Sequence, residues 1–168
     1  SCDVHGIVSG ALNPNGTIDE DGTSALLEAA HPLPFTFHRA FDVTRDLDES
    51  LDALQALGVH RVLTSGGAPT AAEGVEMIAR LVRRGGDRIV VMAGGGVRHG
   101  NAAQVVKGAK VKEVHLRGSR RLDGRMAYRT PHVHIGRPFV PDEYAWDVTD
   151  SAEIGAVVAA VLGAPAGA

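Results

Sequence analysis

The stretch Ile89-Val90-Val91-Met92-Ala93-Gly94-Gly95-Gly96-Val97 decides the fold. Its first five residues are uninterrupted apolar sequence, the mark of a parallel strand covered on both faces, whereas a half-wet antiparallel strand would alternate apolar and polar. Three glycines then lead into a helix-period segment carrying Val105 and Val106, with Asn101 as its candidate cap. The same unit recurs on both sides, a short apolar run followed by a turn and then by helical periodicity. Candidate strands fall at 7–12, 35–38, 61–64, 88–93 and 113–116. They end at intervals of roughly 25–30 residues, about one βαβ step.

The helices between them carry start and stop signals. Asp46 and Glu49 form a capping-box pair before Leu47, Leu51, Leu54 and Leu57, and Gly58 supplies a left-handed stop. Thr70 and Glu73 repeat the device before Val75, Ile78 and Val82, with Gly85 and Gly86 ending the run. Asp150 and Glu153 open a last helix whose Ile154, Val157, Val158, Val161 and Leu162 make one stripe, which predicts docking on the domain. Residues 117–148 are polar, lack periodicity and contain three prolines, so they read as one long loop. Alternating β and α leaves an open doubly wound sheet or a (β/α)8 barrel. A complete barrel needs eight strands and about 250 residues, roughly 80 more than are present.

The 168 residues are expected to form a single domain, because ordinary domains run about 100–200 residues. Hydrophobic residues at 44%, charged residues at 22% and a mean hydropathy near zero exclude a disordered chain. No apolar run approaches the ~20 residues of a membrane helix. A net charge of −3 opposes a general nucleic-acid binder. The lone Cys2 excludes an internal disulfide, and with no signal-peptide pattern the expected location is cytoplasmic.

Two constellations could carry chemistry. Gly94, Gly95 and Gly96 let a backbone approach a ligand closely and offer N–H groups unobstructed by side chains, as phosphate sites do. Gly118 and Ser119 follow the last candidate strand, and barrels often build a phosphate site from the loops after their last two strands. Arg117, Arg120, Arg121, Arg125 and Arg129 stand against only Asp123 between residues 117 and 129, which favours an anionic ligand. The plain alternative is a tight βα corner beside a solvated basic loop. A dinucleotide fingerprint is opposed by His99 where its third glycine belongs, Gly100 coming one residue late. The second constellation is Phe37-His38-Arg39-Ala40-Phe41-Asp42, at a strand end where ligand-facing residues of parallel sheets collect. His38 and His115 are candidate acid, base or ligand groups, with Arg39 and Asp42 beside His38 and the hydroxyls of Thr64 and Ser65 at the end of the middle strand. A satisfied core histidine and a structural Arg39–Asp42 pair are the competing readings. For metal, His132 and His134 lack a nearby third ligand, and soft donors are confined to Cys2, Met77, Met92 and Met126, of which Met77 and Met92 read as core. The metal ligands stay unassigned.

The blocks FTFHRAFD (35–42), ALGVHRVLTSGG (56–67), IVVMAGGGVR (89–98) and EVHLRGS (113–119) resemble, in that order, the CutC-type copper homeostasis family. Weaker likeness extends to GIVSGALNPNGTID (6–19) and to the DEY at 142–144. The resemblance implies a cytoplasmic (β/α)8 barrel, here incomplete with about five βα units, whose first strand corresponds to the family's fourth. It implies copper handling, although the family's acidic first-strand residue, its cysteines proposed to bind copper and its Arg-Pro-Arg-Gly-Gly-Asp-Phe-like segment have no counterpart here. Carried over by position are His38, Arg39, Asp42, Thr64, Ser65, Gly94 to Gly96, His115 and Ser119, half of a barrel mouth. Five strands in place of eight leave two unpaired edges. The expectation is therefore an upstream portion of the protein, with closure by a second copy as the alternative. The leading functional reading is copper homeostasis. The competing ones are an enzyme acting on a phosphorylated or other anionic small molecule and a fragment without activity.

Overall fold

The computed structural model describes residues 3–130 and 143–163. The chain divides into two compact units, Ser1–Leu116 and Arg117–Ala168. The first runs β1 (Ile7–Ser9), α1 (Glu20–Ala30), β2 (Phe35–Phe37), a 3-10 turn (Arg39–Val43), α2 (Leu47–Ala56), β3 (Arg61–Thr64), α3 (Val75–Gly85), β4 (Val90–Gly94), α4 (His99–Ala109) and β5 (Glu113–His115). Its five strands form one sheet in the order β1-β2-β3-β4-β5, every pair parallel. Doubly wound sheets reverse their strand order at a switch point, so a sequential order is the winding of a barrel.

Register sorts the sheet into two faces. Phe35, Phe37, Val62, Thr64, Val91 and Ala93 share one face and are buried. With Leu51 and Leu54 of α2, Ile78 and Leu81 of α3, and Ala102 and Val105 of α4, they make the core. Each of the large side chains contributes about 1.5–3 kcal/mol by leaving water. The opposite face carries Val8, Thr36, Arg61, Leu63, Val90, Met92, Gly94, Glu113 and His115. Val8 is 63% exposed there. Arg61 on β3 reaches over β4 to Glu113 on β5, its Nε and Nη2 donating to the two carboxylate oxygens at 2.5 and 2.8 Å.

Local sequence explains most boundaries. The Asp46 carboxylate accepts the N–H groups of Asp48 (2.8 Å) and Glu49 (3.0 Å) and starts α2, and Gly58 adopts φ +77° beyond its end. The capping box expected there is half formed, because Glu49 pairs with Arg45 instead, at 2.7 and 3.1 Å. Arg80 and Arg84 of α3 pair with Asp48 and Asp52 of α2 and join the two helices on their outer side. Thr70 and Glu73 do hydrogen-bond (2.6 Å), but the turn they close precedes α3, whose N-cap is Gly74. A Cβ at Gly74 would fall on the carbonyl oxygen of Ser65, so only glycine fits. Asn101 is not the cap of α4 but its third helical residue, its Oδ1 accepting the N–H of the cap residue Arg98 at 2.9 Å. Helix α1 was not anticipated, since Thr23 and Ala30 are its buried residues and no apolar stripe marks it. Its one clear signal is Asp19, which accepts the Gly22 N–H at 2.9 Å.

The second unit corrects the expectation of one long loop over 117–148. Residues Ser119–Asp123 (β6) pair antiparallel with Ala145–Thr149 (β7), followed by α5 (Ser151–Leu162). A two-stranded ribbon has no buried face to impose alternation, and Leu122 opposite Trp146 is the large apolar cross-strand pair it offers. The central part of that expected loop lies outside the described residues. Asp150 caps α5 through the Ala152 N–H at 3.0 Å, as its sequence predicts. Of the predicted docking stripe, Val157 is buried, while Ile154, Val158 and Leu162 are exposed. Among the described residues, no helix is long and apolar enough to cross a membrane.

Candidate functional site at the carboxyl ends of the strands

Parallel packing carries the segment after β2, the end of β3, the glycine turn after β4 and the end of β5 to the same end of the sheet. His38, Arg39, Asp42, Thr64, Ser65, Gly94 to Gly96 and His115 all lie along this rim.

Asp42 is its organising group. Its side chain is 6% exposed. Oδ1 accepts the Thr64 hydroxyl (2.5 Å) and the N–H groups of Ser65 (3.1 Å) and Gly67 (3.0 Å), and Oδ2 accepts Arg39 Nε (2.8 Å) and the Ser65 N–H (3.0 Å). Burial is the largest single influence on this carboxyl and pushes its pKa up. The bonds from Thr64, Arg39, Gly67 and Ser65 together outweigh it, leaving Asp42 below the usual carboxylate range. Such a saturated carboxylate has little capacity left to take a proton from a ligand. What it does is hold the β3 loop and fix Arg39.

Arg39 is held a second time, Nη2 donating to Ser65 Oγ at 2.6 Å. The Ser65 hydroxyl stands 2.6 Å from the Ala68 carbonyl and 3.2 Å from Asp42 Oδ2, and its single proton serves the shorter contact. With Nε and Nη2 engaged, Nη1 faces the glycine turn, 2.9 Å from where a Cβ of Gly95 would stand. Gly95 (φ +102°) and Gly96 (φ +70°) have conformations L side chains rarely adopt. The carbonyls of the turn are tied back into the fold, Gly95 O accepting the Ala71 N–H (2.8 Å) and Gly96 O accepting Asn101 Nδ2 (2.9 Å).

The two imidazoles differ. His38 Nδ1 accepts the Ala40 N–H at 3.2 Å and caps the 3-10 turn, so a neutral ring carries its hydrogen on Nε2. The ring lies against Gly10, where a Cβ would approach Nδ1 to 2.8 Å. His115 is exposed, and register sets it directly beside Gly94. Three interstrand spacings, about 14 Å along the sheet, separate β2 from β5, so the two rings do not form one acid–base pair.

Gly118 and Ser119 belong to the second unit. There Gly118 O accepts the Asp150 N–H (2.7 Å) and Ser119 opens β6 opposite Thr149. In that unit Arg117 pairs with Asp147 at 3.0 Å and Arg129 stacks on Tyr144, so part of the basic run has partners of its own. His99 and Gly100 sit in the first turn of α4. Cys2, His132 and His134 lie outside the described residues. Among the described residues no three His, Cys, Asp or Glu side chains come together to hold a metal ion. Met77 and Met92 are half-buried and Met126 is 58% exposed. A copper donor set is therefore not found among the described residues.

Two features escaped the sequence reading. The Arg61–Glu113 pair could have been found from their shared position at the starts of β3 and β5, on the same face. A cavity of about 460 Å³ lined by Leu27, His31, Leu33, Leu57 and His60 lies before β2 and β3, at the opposite end of the sheet from the rim.

Sequentially ordered parallel strands with a polar rim at their carboxyl ends define a protein of the (β/α) barrel class, here five strands of it. The CutC family matches residues 1–120, and the chain belongs to that family. It is 43% identical over 157 residues to a family protein CutC of Mesorhizobium japonicum, covering 94% of this chain and 61% of the relative. It is 39% identical over 149 residues to the copper homeostasis protein cutC homolog of Homo sapiens, covering 89% and 55%. A CutC crystal structure from Streptococcus agalactiae superposes with a TM-score of 0.64 at 36% identity, covering 67% of this chain and 56% of that one. The chain thus spans about three-fifths of the length of the curated relatives it matches.

Proposed function

We propose that this chain acts in copper homeostasis, as the names of its relatives describe, and that its rim does so by binding a small anionic molecule. A phosphorylated compound is the best match. The observation that carries the anion reading is Arg39, held by Asp42 and Ser65 with Nη1 turned onto the Gly94–Gly96 turn. A fixed guanidinium beside side-chain-free backbone is complementary to an oxyanion and loses little rotamer entropy when it binds. In this reading Arg39 and the glycines bind, and Asp42, Thr64 and Ser65 position. The second reading, an enzyme acting on that anion, is favoured by the presence of His38 and His115 on the same rim. The family resemblance adds a cytoplasmic setting, and the second-copy alternative predicts a dimer of about twice 17.5 kDa.

Inorganic phosphate tests the site. At a hundred times its Kd it should stabilise the wild type by about 2.7 kcal/mol, read as a rise in Tm. Gly95→Asp should abolish that protection, because it forces a side chain into φ +102°, crowds Arg39 Nη1 and adds a negative charge. Absence of protection in the wild type, or equal protection in the variant, refutes the anion site. Direct copper binding is tested by Cu(I) competition titration of wild type and Cys2→Ser. A tight one-to-one complex lost in the variant would make Cys2 a ligand, and weak unspecific uptake by both is the result expected from the donor set of the described residues.

A further inference from the structure

We infer that His115, rather than His38, is the imidazole that touches the bound anion, and that His38 is a positioning residue. The inference rests on the anion reading above and divides its two histidines. His115 is paired in register with Gly94, and its Cβ lies 3.1 Å from where a Cβ of Gly94 would stand. Its exposed ring therefore rises one interstrand spacing, about 4.8 Å, from the strand that delivers the glycine turn. An anion on that turn would lie between the Arg39 guanidinium, which arrives from the β2 side across Ser65, and the His115 ring on the β5 side. His38 is occupied elsewhere. Its Nδ1 accepts the Ala40 N–H, its ring meets Phe37 edge-on at 5.9 Å, and the bare backbone of Gly10 covers its flank. Those contacts set the 3-10 turn from which Arg39 and Asp42 project.

The chemistry predicts the ligand class more narrowly. One guanidinium, one imidazole able to donate from nitrogen and a cluster of glycines suit a phosphate monoester, whose spare oxygens accept several donors at once. The apolar Leu63 and Met92 on the same sheet face would lie under its organic part.

Phosphate titrations of the full chain, followed by imidazole NMR signals and by Tm, test the assignment. His115 resonances should move saturably with the same Kd as the thermal protection, while His38 keeps the signature of an Nε2–H tautomer. His115→Ala, at an exposed position, should raise the phosphate Kd about tenfold with little change in the Tm of the unliganded protein. His38→Asn should keep Kd, because an Asn carbonyl can accept the Ala40 N–H as the ring does, while the lost ring contacts with Phe37 and Gly10 lower the Tm. If phosphate binds but His115→Ala leaves Kd unchanged, or His38→Asn weakens binding tenfold in a folded protein, the assignment is overturned while the anion site stands. If phosphate protects nothing and moves no signal, the anion site itself is overturned.

Discussion

Asp42→Ala should lower the Tm by about 6–12 °C, the equivalent of about 3 kcal/mol in a chain of this size. The cost comes from what the carboxylate leaves behind. The Thr64 hydroxyl and the N–H groups of Ser65 and Gly67 lose their acceptor, and Arg39 loses the partner of its Nε. Stranded donors in a mostly buried site cost more than the same bonds contribute when made. Asp42→Asn separates charge from shape and supplies the pH test. The folded-state pKa of Asp42 lies below its unfolded value of about 3.9, so the stabilisation is complete above that value and is lost as pH falls through the folded pKa. The stability gap between wild type and Asp42→Asn should therefore be constant from pH 5 to 8 and close in acid, as measured by urea unfolding. A gap that widened in acid would contradict the network.

Phe37→Ala should cost about 3–5 kcal/mol, the range for emptying a fully buried aromatic site. Phe37 lies in β2 on the helix-covered face, paired with Ser9 and Val62. Because Phe37 is fully buried, the truncation leaves a cavity that its neighbours fill only in part. The urea midpoint should fall with an unchanged m-value, as expected when stability drops without a change in compactness. The effect should also reach the rim, because Phe37 ends the strand that leads directly into the turn carrying Arg39 and Asp42. Phosphate protection should weaken in Phe37→Ala more than in a core truncation farther from β2, such as Val105→Ala in α4. Equal losses would show that the rim does not depend on this strand end.

The parallel sheet was legible because buried strands read as apolar runs. Ile89 to Ala93 announces β4, and turn glycines bracket the rest. Capping chemistry identified α2 and α5 through Asp46 and Asp150, single side chains that act locally. It misplaced the cap of α4, where Asn101 reaches back from inside the helix, a geometry that a linear reading cannot separate from a cap. It missed α1, whose contact with the core runs through Thr23 and Ala30. β6 escaped for a related reason, since Ser119-Arg120-Arg121-Leu122-Asp123 belongs to a ribbon whose partner lies more than twenty residues on. At the rim, residue types were visible and their division of labour was not. Asp42 and His38 stood out by chemistry, yet what distinguishes them from Arg39 and His115 is how many of their atoms are already engaged, for Asp42 largely a property of contacts 22 to 25 residues apart in sequence.

The most direct measurement is a structure of the chain determined with phosphate present. The ion should lie within about 3 Å of Arg39 Nη1 and against the Gly95–Gly96 backbone, within reach of the His115 ring. Phosphate found instead only among the arginines of the second unit, or no ordered ion at concentrations that raise the Tm, would contradict a rim built to hold an anion.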